Sequence, residues 1–240
     1  MSPALIAALI FIAVLVQTLS GFGFAIMVMP LATLALGIQT AAPLIALTGL
    51  VVYGINVVRY RRAINLGELA RLAVASALGV PVGIWLLSNV SETLVRQILG
   101  FVLAAYALYA LLRPATARLR SQRWAYPAGF FVGCLGGAYN TPGPPAIMYG
   151  SLRQWPKDEF RAVLQTLFFC NAVLVVAAHL IAGHVTTQVT TLFAWALPAL
   201  LLGIVAGSQL DKRVNQARFR TLVTVMILIL GLLLLSGLGR

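Results

Sequence analysis

The chain has 240 residues, of which 61% are hydrophobic and only 9% are charged, and its mean hydropathy is +0.97. Soluble domains carry roughly 25% charged residues, so this composition excludes a soluble protein and indicates an integral membrane protein. The net charge of +12 does not indicate nucleic-acid binding, because the basic residues cluster in short loops between apolar segments, as expected for membrane topology.

Ten apolar segments follow one another along the chain and predict an all-α membrane protein with about eight to ten hydrophobic helices. Crossing a bilayer as one helix takes roughly 20 residues, and six segments reach or approach that length. The other four form two interrupted pairs, the first with the second and the sixth with the seventh. The segments are residues 3–19, 24–36, 41–58, 72–87, 94–112, 126–135, 146–152, 162–181, 189–210 and 222–238.

The two interruptions predict broken helices. Ser-Gly-Phe-Gly at residues 20–23 separates the first pair, and Gly-Gly-Ala-Tyr-Asn-Thr-Pro-Gly-Pro-Pro at residues 136–145 separates the second. Proline interrupts a helix because it lacks the N–H and clashes with the preceding turn. Irregular backbone at membrane depth must be buried in protein or line a wet cavity. Broken helices of this kind are typical of the binding sites of secondary transporters.

The charged loops predict the topology. Basic loops stay in the cytoplasm, so the four Arg/Lys loops lie inside and the connections without basic residues lie outside. This arrangement requires each interrupted pair to enter and leave on one side, with both termini outside. In chain order the basic loops carry Arg59, Arg61, Arg62 and Arg71; Arg113, Arg118, Arg120 and Arg123; Arg153, Lys157 and Arg161; and Lys212, Arg213, Arg218 and Arg220.

A weak internal repeat divides the chain into halves. Gly79-Val-Pro-Val-Gly83 corresponds to Gly203-Ile-Val-Ala-Gly207 at an offset of 124, and Ala-Ile-Met at residues 25–27 recurs at residues 146–148. Each half is predicted to be a broken-helix hairpin plus three transmembrane helices. Because each half crosses the membrane three times, the second half starts on the opposite side from the first. This predicts two inverted-topology repeats. The expected units are residues 1–112, a basic cytoplasmic linker at 113–123, and residues 124–240.

The residues at the two interruptions are small and neutral. A helix N-terminus presents free N–H groups and roughly half a positive charge, so two such ends converging on one spot would bind a small anion. Close packing of helices through Gly21 and Gly23 is the alternative, as is interhelical hydrogen bonding for Asn171. The substrate-binding candidates are Gln17, Ser20, Gly21, Gly23, Asn140, Thr141, Gly143 and Asn171.

The remaining polar residues give weaker evidence about function. Arg153 and Arg161 are expected in a solvated loop, with a second role as a cytoplasmic mouth that gathers anions. All five acidic residues fall in loops or at segment ends, which disfavours a proton relay or cation site. His179 and His184 near an outer edge do not predict a metal site, and no cofactor is expected. Ser20 and Thr141 lack an identifiable base, so the chain is not expected to be an enzyme.

The motifs resemble those of a known family. Asn-Thr-Pro-Gly-Pro-Pro at residues 140–145, followed by Trp-Pro-Lys-Asp-Glu-Phe-Arg-Ala at 155–162, resembles the second-half signature of the TauE/SafE family of bacterial membrane transporters. Gln-Thr-Leu-Ser-Gly-Phe-Gly-Phe at 17–24, with Pro30, resembles the first-half signature. The resemblance implies export of sulfite, sulfoacetate and related organosulfur anions. Phe22 and Phe24 stand where many members have glycine, which implies a bulkier, more apolar pocket wall.

We therefore expect a multi-pass secondary transporter of the bacterial inner (plasma) membrane that exports small sulfur-containing anions by alternating access. Its expected partners are the anion and the lipid bilayer, without nucleic acid, and a homodimer is compatible with the sequence. Two alternatives stay open: a carrier for a different small organic anion, and a membrane assembly subunit that transports nothing.

Overall fold

The structure is a computed structural model that describes residues 3–112, 119–210 and 216–236, and every regular element in these ranges is helical. Part of the expected linker (113–118) and the basic residues Lys212 and Arg213 lie outside the described residues. The ten α-helices are α1 (Pro3–Ser20), α2 (Phe24–Leu36), α3 (Ile38–Tyr60), α4 (Leu66–Asn89), α5 (Glu92–Leu112), α6 (Ala125–Tyr139), α7 (Gly143–Leu152), α8 (Lys157–Ile181), α9 (Thr187–Leu210) and α10 (Gln216–Ser236), with short 3-10 turns at Arg61–Ala63 and Gln122–Trp124.

Each predicted apolar segment corresponds to one helix, which confirms the all-α membrane class. Several helices extend into polar sequence; α4 begins six residues before its apolar segment because the Asn65 side chain caps it, accepting from the Glu68 N–H at 3.2 Å. Among the described residues, α3, α4, α8 and α9 contain stretches long and apolar enough to cross a membrane, whereas α5 and α10 contain shorter ones.

The second break is narrower than predicted. The expectation that residues 136–145 are all non-helical is wrong, because α6 continues to Tyr139 and only Asn140–Pro142 interrupts it. Gly136 and Gly137 lie in the helical part, at positions where neighbours leave room only for glycine; a Cβ on Gly137 would overlap the Val80 carbonyl. The two prolines that follow fit the first turn of α7, where a missing N–H costs nothing.

Three of the basic loops meet at one end of the helix bundle, which we call the basic end. The Asn65 side chain donates to Glu159 Oε1 at 2.8 Å, joining the loop after α3 to the start of α8. The Leu119 N–H donates to the Leu152 carbonyl at 2.9 Å, joining the segment before α6 to the end of α7. The α6–α7 hairpin therefore begins and ends at the basic end, as the loop charges predict.

The α1–α2 hairpin enters from the opposite end. Helix α8 starts at the basic end, so α9 runs back toward it. Helix α1 packs parallel to α9, with Gly203 against Phe11 and Gly207 against Thr18. Helix α1 therefore also runs toward the basic end and breaks after Ser20, and α2 returns to the opposite end, where α3 begins.

Glycines allow two helix pairs to approach very closely. On α4, Gly79 lies against the backbone of Phe130 and Gly83 against that of Cys134, both on α6. Small residues allow such backbone contact in membranes. The glycine pairs matched in the sequence thus make equivalent contacts, since α4 packs on α6 as α9 packs on α1.

We expect Gly79→Ala to destabilise the protein, because the new methyl group would overlap the Phe130 carbonyl and force α4 and α6 apart. Overpacking of this kind costs roughly 1–3 kcal/mol, visible as a lower midpoint of thermal unfolding in detergent. The matched control is Gly67→Ala on the same helix, where the nearest atom is 3.6 Å away; it should leave the midpoint unchanged or raise it. Equal midpoints for both variants would contradict the close contact.

Candidate functional site

Gln17 stabilises the first break, Gly21–Gly23, from inside the protein. Its Oε1 accepts from the Phe24 N–H at 2.9 Å, which satisfies the first free donor of α2 across the break. Both glycines at the break have positive φ, +82° at Gly21 and +109° at Gly23. A side chain at either position would be strained, so these glycines are required by the backbone path and not only by packing.

Gln165 on α8 connects this break to the rest of the bundle. Its Nε2 donates to the Gly21 carbonyl at 2.8 Å, and its Oε1 accepts from Gln17 Nε2 at 3.3 Å and from Asn56 Nδ2 at 3.2 Å. The three amide side chains are almost fully buried. Buried polar groups are stabilising only when they are paired, and here one amide fixes three helices around the break.

Arg161 lies one helical turn before Gln165 and is also buried, at 5% exposure. Its Nη2 donates to the Leu19 carbonyl at 3.1 Å, just before the break. A Cβ on Gly21 would lie 3.1 Å from Arg161 Cγ, so the side chain packs directly on this glycine. The expectation of a solvated loop cation does not hold for Arg161, because α8 begins early enough to place it inside the bundle.

At the second break, Asn140 ends α6 in the left-handed conformation (φ +52°). The Asn140 N–H donates to the Gly136 carbonyl and the Thr141 N–H to the Leu135 carbonyl, so these backbone bonds satisfy the last carbonyls of α6. Asn140 Nδ2 then donates to the Ala42 carbonyl on α3 at 2.7 Å. The break is thereby fixed to the end of α3 that lies away from the basic end.

Two hydroxyl groups beside this break are buried without a partner in the part of the chain that the structure describes: Thr141 Oγ1 and Tyr139 Oη. A small cavity of about 10 Å³ lies close by, lined by Asn140, Asn171, Tyr53 and neighbours. This volume holds about one water molecule. Asn171 donates to Ser76 Oγ at 3.0 Å, so it links α8 to α4 while lining the cavity.

The polar networks of the two breaks reach different positions along α3. Asn140 is bonded at Ala42 and the first-break network at Asn56, positions separated by roughly 21 Å along α3 at 1.5 Å per residue. Three buried rings lie between them: Phe24 and Tyr53 with centroids 6.4 Å apart, and Tyr53 and Phe168 at 5.4 Å. The N-termini of α2 and α7 nevertheless come near each other, since a Cβ on Gly143 at the start of α7 would lie 2.9 Å from Ile26 Cδ1 in the first turn of α2. The expectation that they form one anion site stays a prediction.

Arg153 is not a solvated cation either. Its Nη2 lies 2.7 Å from Oε1 of Glu68, a carboxylate only 2% exposed, and its Nη1 donates to the carbonyls of Leu119 and Arg120. Tyr149 donates to the second Glu68 oxygen at 2.7 Å. The guanidinium thus joins α4, α7 and the segment before α6, so the expected role of Arg153 in a mouth is not supported by its contacts.

The sequence analysis identified most residues of the first break but not the side chains that bond to them. Gln17, Gly21 and Gly23 lie together there, while Asn140, Thr141 and Asn171 lie together at the second break, and Gly143 begins α7 against Ile26. The side chain of Ser20 lies outside the described residues. Gln165 was missed, although a glutamine inside a long apolar segment, four residues after an arginine, is a signal for a buried polar face.

These features define a class of protein: a multi-pass membrane transporter with two broken helical hairpins entering from opposite ends. The model of the family "Sulfite exporter TauE/SafE" matches residues 6–234, and the chain belongs to this family, which confirms the resemblance seen in the motifs. The chain is 25% identical over 222 residues to "Probable sulfite/organosulfonate exporter TauE" of Cupriavidus necator, covering 90% of this chain and 86% of that protein. No solved structure matches the chain.

Replacing Arg153 with methionine should strongly destabilise the protein, because it leaves the buried Glu68 carboxylate without its counter-charge. Breaking a buried ion pair in this way costs roughly 3–5 kcal/mol. The double variant Glu68→Gln/Arg153→Met should recover part of the loss, and the exposed Arg62→Met serves as the control. Thermal unfolding in detergent is the measurement; a double variant less stable than Arg153→Met alone would contradict the pairing.

At the second break, Asn140→Gly and Asn140→Ala separate the two roles of the asparagine. Both lose the bond to Ala42, worth about 0.5–1.5 kcal/mol. Only alanine adds the cost of a left-handed conformation, roughly 1–2 kcal/mol. We therefore expect the unfolding midpoints to fall in the order wild type, Asn140→Gly, Asn140→Ala. If alanine is tolerated as well as glycine, the left-handed ending of α6 is incorrect.

Proposed function

We propose that this protein exports small sulfur-containing anions, sulfite or organosulfonates, across the bacterial inner membrane by alternating access. The observation that most directly supports an anionic substrate is the guanidinium of Arg161, buried against the first break. A cation inside a membrane protein is energetically costly and indicates a functional site. The family's description as sulfite exporters and the printed name of the C. necator relative support the sulfur-anion class.

The first break is our proposed inner binding site. One hydrogen bond of the Arg161 guanidinium there goes to a backbone carbonyl, whereas an oxyanion would add the Coulomb attraction between opposite charges. An arriving oxyanion would therefore bind the guanidinium more strongly than the carbonyl does. The Nε2 groups of Gln17 and Gln165, and the N-terminus of α2, are the further donors within this network. Ser20, Gly21 and Gly23 complete the proposed site.

The second break is our proposed outer site. Thr141 Oγ1 is a buried hydroxyl that an anion would satisfy, and α7 begins two residues later with its positive end at the break. Asn140, Gly143 and Asn171 complete this site. The cavity beside it is about 10 Å³, too small for a sulfur oxyanion. The proposed outer site is therefore closed in this conformation, and transport requires it to open.

Alternating access follows from the repeat that we propose between residues 1–112 and 124–240, joined by the linker 113–123. The equivalent glycine contacts of α4 with α6 and of α9 with α1 support it. Inverted repeats provide two related conformations, one open to each side. In this proposal the Phe24–Tyr53–Phe168 rings separate the inner and outer sites when the protein is closed.

The direction of export is consistent with the charges. We place the basic end in the cytoplasm, in keeping with the positive-inside rule, and both termini on the outer side. An interior-negative potential then favours anion exit by about 2.3 kcal/mol per charge per 100 mV. The aromatic rings beside the inner site favour a second substrate candidate as well, a different small organic anion with an apolar group.

Sulfite efflux from proteoliposomes containing the purified protein tests this proposal. Arg161→Gln should slow efflux by about tenfold or more, which corresponds to about 1.4 kcal/mol, because it removes the charge that binds the anion. Arg161→Lys should give an intermediate rate, since it keeps the charge but not the planar fork of donors. Arg62→Gln, which changes an exposed arginine, is the matched control.

Equal rates for wild type and a folded Arg161→Gln variant would show that this residue does not bind substrate. Wild-type protein that transports neither sulfite nor any sulfonate would favour the alternative of an assembly subunit.

A further inference from the structure

We infer that the ring of Tyr60 is the cytoplasmic gate of the inner site. This inference rests on the proposed function, and it assigns the side chain that an anion must displace to reach the first break from the basic end. Its basis is the order of side chains along the contact between α3 and α8, and the position of Tyr60 at the end of that order.

Helices α3 and α8 pack side by side in antiparallel register, and three pairs of residues define it. Each step toward the basic end along α3 is matched by an equal step back along α8. The pairs are Tyr53 with Phe168 (ring centroids 5.4 Å apart), Asn56 with Gln165 (Nδ2 to Oε1, 3.2 Å) and Tyr60 with Arg161 (ring centroid to Cζ, 5.9 Å). The contact therefore has a layer of rings, a layer of amides, and a layer that joins a ring to a guanidinium.

Tyr60 belongs to the layer nearest the basic end. Tyr53 and Asn56 are 5% and 2% exposed, whereas Tyr60 is half-buried and its neighbours Arg59 and Arg61 are exposed. Tyr60 is also the last residue of α3. Its ring therefore lies at the boundary between the buried network and the solvent at the basic end.

The Arg161 side chain connects this ring to the first break. Its Cγ is 3.1 Å from the position of a Cβ on Gly21, and its Nη2 donates to the Leu19 carbonyl. Its guanidinium carbon lies over the Tyr60 ring. A ring face attracts a guanidinium because it carries partial negative charge. Tyr60 thus covers part of the guanidinium on the side of the basic end.

The ring that attracts the guanidinium opposes the entry of an anion. The negative face of an aromatic ring presents an arriving oxyanion with a surface of its own sign. A cation–π contact is weaker than charge-assisted hydrogen bonds from a guanidinium to an oxyanion. An anion can therefore replace the ring on the guanidinium, but only after the ring has turned away.

The gate is a side chain and not a helix, because contacts fix the helix ends around it. Asn65 donates to Glu159 at 2.8 Å, which holds the loop after α3 on the start of α8. The rings of Trp155 and Tyr149, with centroids 5.5 Å apart, hold the segment before α8 against α7. A change of the Tyr60 rotamer breaks neither contact, and rotamers change much faster than helices move.

Thiol labelling from one face at a time tests the gate. The probe is Ser20→Cys, at the last residue of α1 beside the first break, in a chain that also carries Cys134→Ala and Cys170→Ala. The reagent is 2-sulfonatoethyl methanethiosulfonate, an anion that does not cross membranes and carries the sulfonate group of the proposed substrates. Inside-out and right-side-out membrane vesicles present the cytoplasmic and outer faces in turn.

We expect Tyr60→Ala to be labelled at least about tenfold faster from the cytoplasmic face, because it removes both the ring and its contact with the guanidinium. The rate from the outer face should not change, since the Phe24–Tyr53–Phe168 rings still block that side. Tyr60→Phe, which keeps the ring face, is the matched control and should be labelled at the parent rate. If Tyr60→Ala does not fold, Tyr60→Leu is judged by the same criterion.

The outcomes separate this inference from the proposed function. Equal labelling of the parent and Tyr60→Ala from the cytoplasmic face, or faster labelling of Tyr60→Ala from both faces, overturns the gate. Faster labelling from the outer face alone keeps the gate and overturns the orientation that we propose. Absence of sulfite efflux, from protein whose labelling depends on Tyr60 as expected, overturns the proposed function and leaves the barrier in place.

Discussion

The rest of the structure depends on one constraint: broken backbone inside an apolar bundle must find hydrogen-bond partners. At the first break side-chain amides are these partners, since Gln17 accepts from the Phe24 N–H and Gln165 donates to the Gly21 carbonyl. At the second break it uses backbone bonds closing α6 and the Asn140 amide. Unpaired backbone groups would cost several kcal/mol each in lipid, so these few polar residues make the two breaks possible.

Arg153, just after α7, and Arg161, in the first two turns of α8, have different environments although they are close in sequence. Arg153 is matched by a buried carboxylate and by two carbonyls, and so serves the architecture of the basic end. Arg161 lies against the first break, among amides and aromatic rings. Their contacts therefore distinguish two arginines that composition alone does not separate: one holds the basic end together, and the other lies where we propose that the anion binds.

The sequence predicted the ten helices well because hydropathy and segment length are local properties that the membrane environment enforces. It predicted the position of the first break because Gly21 and Gly23 have conformations available mainly to glycine. It failed over residues 136–139, because a glycine there is read locally as a helix break, whereas its need comes from close contact with a distant neighbour such as Val80. The burial of Glu68 and Arg161 was missed for the same reason: it depends on long-range packing at the helix ends.

The close parallel pairs have a consequence for how the protein is made. Helix α1 rests on α9, and α4 rests on α6, so each pair joins an early helix to one synthesised later. During translation the face of α1 that receives the α9 glycines, and the glycine face of α4, must wait in the bilayer, uncovered or shielded by lipid, until their partners are inserted. A chain terminated after α5 would therefore contain five of the helices but neither of these two close pairs. Assembly of this protein is consequently a late event, completed only when α9, and then α10 beside α5, enter the membrane.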